Sequence, residues 1–142
     1  MPEFSPAESC KTIVTGNAAL SGYTLIVGHG LPDTDKLITF LDTGGEPSNP
    51  KWLLDFPTVQ VVVRGGANDY KNIWAVAKAI KDLLLGITSQ TINGDEIVSI
   101  TEGSTVAFIG RDDNHRPMFS VNFRLIIQPQ TNAQTNRTAL SA

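Results

Sequence analysis

The segment that most constrains this chain is Thr58-Val59-Gln60-Val61-Val62-Val63-Arg64, which runs through Gly65-Gly66 into a long helical pattern. Side chains branched at Cβ are stiff and fit a pleated, half-buried surface, so residues 58–64 read as a strand. The apolar positions that follow, Ile73, Val76, Ala77, Ile80, Leu83 and Leu84, recur at i, i+3, i+4 and i+7. Lys71, Lys78, Lys81 and Asp82 sit largely off that stripe. Asn68 or Asp69 can cap this helix at Tyr70, and Gly86 suits its C-terminal stop. A helix with one apolar face cannot stand alone in water. It must lie on a sheet that holds the strand before it.

Other elements fall on either side. Ser5 can cap a first helix, with Pro6 at its first position and Glu8 closing a capping box, and the pattern runs to about Thr15. Residues 23–27 and 36–42 read as strands. Residues 43–50 are dense in chain breakers (Gly44, Gly45, Pro47, Asn49, Pro50) and predict one long irregular connection. In the last third, Asn93-Gly94 marks a tight turn. Residues 97–101, 106–110 and 118–127 read as strands, with residues 111–117 a polar hairpin tip between the last two. The expected fold is α+β: a mixed, mostly antiparallel sheet of about six strands, with two helices packed on one face. Residues 1–128 form one domain on this reading, and residues 129–142 a polar tail too poor in apolar groups to order itself.

Composition excludes several classes. Net charge is −3 with no basic run, which argues against tight binding to a phosphate backbone. The one cysteine, Cys10, cannot form an intramolecular disulfide and reads as a small buried side chain. No apolar run is long enough to cross a bilayer as a helix, and the first residues lack the basic start of a secretion signal, so synthesis in a cytoplasm is the expectation. Only 18% of residues are charged, against a usual value of about 25%, which fits a surface partly covered by neighbours and equally an ordinary low-charge soluble domain.

The sharpest catalytic candidate is Asp42-Thr43-Gly44, placed after an apolar strand as in aspartic proteases, where paired chains share one proton between two carboxylates. Ile109-Gly110-Arg111-Asp112 adds to that resemblance to retroviral-type proteases. Context opposes it. A turn and a new strand at Met118 follow where that family has a helix, and a strand exit uses Asp and Gly in the same way. His29 and His115 have no ligand-type neighbours at metal spacing, Asp112 and Asp113 lack a calcium-loop pattern, and neither glycine pair matches a nucleotide-binding motif. No cofactor or metal is expected. Trp52 and Phe56, an aromatic pair after the breakers, serve either as a satellite core or as an anchor for a neighbouring subunit. The tip residues Arg111, Asp112, Asp113 and Arg116 form a mixed-sign set able to pair across a joint.

Two blocks carry a family resemblance. Residues 42–52, with Pro47, Pro50 and Trp52, lead into Phe56-Pro57-Thr58 and the strand ending at Gly65. Residues 108–124, with Gly110, Arg116-Pro117 and Met118-Phe119, form a glycine, polar turn, Arg-Pro, strand ending. With the helix and Asn93-Gly94 between them, they resemble minor capsid or tail-terminator proteins of long-tailed bacteriophages, over roughly residues 20–128. The resemblance implies a non-catalytic virion protein at the head–tail junction, assembled in the host cytoplasm. It implies a ring, commonly of six copies, that caps the tail tube, ends its elongation and joins the tail to the head connector or a head completion protein. Genomic DNA would pass through without sequence-specific binding. The candidate interface residues are Trp52, Phe56, Arg111, Asp112, Asp113 and Arg116.

Overall fold

A computed structural model describes residues 4–28, 35–49 and 54–128. The order is α1 (Pro6–Val14), a 3-10 turn (Ala18–Leu20), β1 (Thr24–Val27), β2 (Leu37–Asn49), β3 (Leu54–Arg64), α2 (Tyr70–Leu85), β4 (Gln90–Ile92), β5 (Asp95–Arg111) and β6 (Pro117–Gln128). The strands form one six-stranded sheet in the order β1-β2-β3-β6-β5-β4. Among the described residues, only β1 and β2 run parallel, and every other pair is antiparallel. The fold is α+β, with the sheet curled into a half-barrel.

Both helices lie on one face. Alternate residues of the central strands, Val59, Val61 and Val63 on β3 and Phe119, Val121, Phe123, Leu125 and Ile127 on β6, join one cluster with Ala7, Cys10 and Val14 of α1 and Ile73, Ala77, Ile80 and Leu84 of α2. The stripe predicted for α2 is therefore its buried face, except that Leu83 is only partly buried. Ser5 accepts from the Glu8 N–H at 3.3 Å and caps α1 as its pattern predicts. Gly65 is buried where a Cβ would meet the Ile73 side chain at 2.5 Å, so the turn from β3 packs directly under α2.

The strands differ from the sequence expectation in several places: β3 begins at Leu54 instead of Thr58, and β4 was not expected. The breaker-rich residues 43–49 continue β2 instead of forming a loop, with register shifts against β3 between Asp42 and Gly45 and between Glu46 and Asn49. Gly44 at φ +88° and Gly45 at φ +120° supply conformations that bulges need, and a Cβ on Gly45 would meet the Phe56 carbonyl oxygen at 2.2 Å. The two short strands expected over residues 97–110 are a single one, β5, whose polar middle carries bulges opposite β6. The Asn93-Gly94 turn joins β4 to β5 with both residues at positive φ, 54° and 89°. Trp52 and the tail beyond Gln128 lie outside the described residues.

The sheet ends unevenly. β4 covers β5 only as far as Ile97, and β1 covers β2 only over residues 37–40. Among the described residues, no strand lies against the outer edge of β5 over 98–111 or of β2 over 41–49.

Candidate assembly site

The hairpin tip is held by its own charges. Asp112 Oδ1 accepts from the backbone N–H of Asn114 at 3.0 Å and of Arg116 at 2.9 Å. Its Oδ2 accepts from Arg116 Nε at 2.8 Å and lies 3.7 Å from Arg64 Nη1. Arg116 also reaches Asp35 at 3.3 Å, which ties the tip to the start of β2, and it is buried at 6% exposure. Arg111 donates to the carbonyls of Ala67 and His115 at 3.0 and 2.8 Å. His115 sits at φ 61°, a conformation this clasp imposes on the turn. Burial pushes the Asp112 carboxyl up, but donation from the Arg116 backbone and side chain and the Asn114 N–H, with the Arg116 charge, outweighs it and holds the carboxyl below its ordinary 3.8. Of the four tip residues expected at a joint, Arg116 is buried, Asp112 half-buried, and Arg111 and Asp113 exposed.

Phe56 is half-buried on the sheet face away from the helices. It lines a shallow groove with Gly45, Glu46, Thr58, Thr101 and Arg124. The structure does not bring Phe56 together with the hairpin tip. Phe56 pairs with Glu46 at one end of β3, while the tip lies beside Arg64 at the other.

Asp42 acts locally. Its Oδ1 accepts from the Ala7 N–H at 2.9 Å, at the N-terminus of α1, where a carboxylate is favoured. Cys10 is fully buried, and burial, aided by the Asp42 charge, raises its thiol to about 12. Among the described residues, no cluster of three or more metal-ligand side chains occurs, and no helix is long and apolar enough to cross a membrane.

Sequence reasoning missed the most exposed aromatics among the described residues. Tyr70 and Trp74 stand one turn apart on α2, 46% and 44% exposed, with Phe108 of β5 at 46%. Tyr70, Phe108 and Phe119 pack ring against ring, with centroids 4.9–5.6 Å apart. The signal was present: Tyr70 and Trp74 fall off the core stripe of an amphipathic helix, where polar residues belong. Ile109, 47% exposed, extends the apolar surface along β5.

An α+β sheet with open edges and aromatics left outside its core is the build of a subunit made to be covered by neighbours. The model of the bacteriophage tail terminator protein family matches residues 14–129, and the chain belongs to that family. A chain from the virion of a native gene transfer agent (GTA) particle has the same fold, with a TM-score of 0.70 at 13% identity over 87% of this chain and 95% of that one. No curated protein matches the chain significantly. Family membership makes this a virion-associated structural protein of the phage tail.

Proposed function

We propose that this protein caps the tail tube as a ring, ends its elongation and joins the tail to the head connector or a head completion protein, without catalysis. The observation that carries this is the family match over residues 14–129, which takes in the whole sheet and α2. On this reading residues 1–128 are one domain. Copies of the chain contact one another head to tail, commonly six of them, and genomic DNA passes through the opening without sequence-specific contacts. A heterologous contact that closes on itself gives such a ring.

The interface residues divide by role. Asp112 and Arg116 shape the tip and offer Arg111 and Asp113 outward, toward a neighbouring subunit. Phe56 contributes an aromatic contact at the other end of the sheet, and Trp52 is the second aromatic proposed for the interface.

The test is tube growth in vitro. Tail tube protein polymerising alone should give tubes of uncontrolled length, and added chain should stop them and leave a ring at one end in electron micrographs. Tubes that grow on unaltered, with no density added at either end, would reject the capping role.

A further inference from the structure

We propose that the joint between ring neighbours is formed by the open edge of β5 and the adjoining aromatics Tyr70, Trp74 and Phe108, seated against the open edge of β2 of a second copy. This rests on the ring reading above and names its contact.

Three observations carry it. First, the edge of β5 is unprotected. Residues 103–110, Gly-Ser-Thr-Val-Ala-Phe-Ile-Gly, hold no charge and no proline, and all but Val106 and Gly110 are exposed. Exposed edges of that length are normally blunted by lysine, proline or a covering segment, because they template pairing with another chain. Register shifts between Glu102 and Ser104, Ser104 and Ala107, and Phe108 and Gly110 twist this edge but add no charge, proline or covering segment. Second, a head-to-tail ring needs two different surfaces on each subunit. The sheet offers two, because among the described residues its order leaves β5 open at one end and β2 open at the other. Third, the charges at the two ends differ in sign. The open part of β2 carries exposed Asp42 and Glu46 and no cation. The surface around the β5 aromatics carries Lys71, Lys78, Lys81 and Arg111, of which Lys78 and Lys81 already pair with Asp82 and Glu102 and Arg111 donates to the Ala67 and His115 carbonyls, with Asp113 as an exposed acid at the tip. Lys71 and Arg111 therefore face the incoming acidic edge, and opposite potentials fix which ends meet. Pro47 on β2 removes one donor from the pairing, so the aromatics rather than a full ladder carry the contact.

The test uses full-length chains with one added cysteine each, Glu46→Cys and Ile109→Cys, both at exposed positions, while burial shields Cys10. A short bis-maleimide should link the two variants when they are mixed and should link neither alone, because a heterologous joint brings position 46 of one copy to position 109 of the next. Links within either variant alone would indicate a two-fold contact and overturn the proposal. Rings of the wild-type chain in micrographs without the mixed link would overturn the joint and leave the ring reading standing. Absence of both rings and links at any concentration would remove the ring reading and the joint with it. Amide exchange gives an independent check: within residues 103–110, protection in the dilute monomer of the amides that point away from β6 would show that the chain's own residues cover this edge, and that too would overturn it.

Discussion

Two side chains show how much a single residue does here. Cys10 lies near Asp42 in a buried setting, so its thiolate is disfavoured by burial and by the neighbouring charge. The folded thiol should resist alkylation at pH 8 and react promptly once the chain is unfolded; equal rates in both states would refute the burial argument. Its raised value also has a stability consequence. The folded state holds this proton more tightly than the unfolded state, so the contribution is complete below the ordinary 9.0 and is lost as pH rises from there toward about 12. Asp112 has the opposite sign. Its carboxyl is held below 3.8, so its contribution is present above that value and is lost as pH falls through the folded value. Asp112→Asn should cost about 1–3 kcal/mol at neutral pH, since the Arg116 side chain loses its charged acceptor while buried. Melting curves of Asp112→Asn and wild type should converge as the pH drops below about 4. Parallel curves down to about pH 2, below the ordinary carboxylate range, would show that the clasp is not what the carboxylate does.

At the scale of elements, legibility followed the strength of the pattern. The helix α2 was readable because its apolar stripe must face a sheet, and Ile80, fully buried, is at its centre. Ile80→Ala should destabilise by about 2–5 kcal/mol. Lys78→Ala removes only an exposed pair with Asp82 and should cost about 0.5 kcal/mol or less. Chemical denaturation of both variants checks the assigned face, and equal losses would reject it. The strands were less legible, for two distinct reasons. Residues 43–49 carry loop chemistry because a bulged edge uses the same residues as a turn, and sequence cannot tell Gly45 in a bulge from Gly45 in a loop. Gly45→Ala tests the bulge: the Cβ cannot fit against the Phe56 carbonyl, so β2 should detach from β3 beyond Asp42, with faster amide exchange there and an intact core. In β5 the polar middle, Thr101 to Thr105, hid the continuity of one strand, because an exposed edge does not demand apolar alternation.

For the whole molecule, the question is which aromatics belong to the fold and which to the assembly. The sequence pointed to Trp52 and Phe56 through their position after the breakers, while Trp74, off the apolar stripe of α2, carried a signal that sequence reasoning missed. Burial separates them. Phe119 is 1% exposed and central to the sheet, so Phe119→Ala should lower stability by about 3–5 kcal/mol, and any loss of assembly would follow from loss of folded protein. Trp74 is 44% exposed in the isolated chain, so truncating it removes little from the core. If it is a central anchor at a joint, Trp74→Ala should cost about 2 kcal/mol or more per contact while the monomer melts within a few degrees of wild type. In a closed ring each subunit contributes one such contact, so the loss is repeated around the circle and closed rings should give way to monomers. Sedimentation of both variants at matched folded concentration decides between the roles. A Trp74→Ala chain that melts early and still forms rings would place this residue in the core and return the assembly contact to the Phe56 end of the sheet.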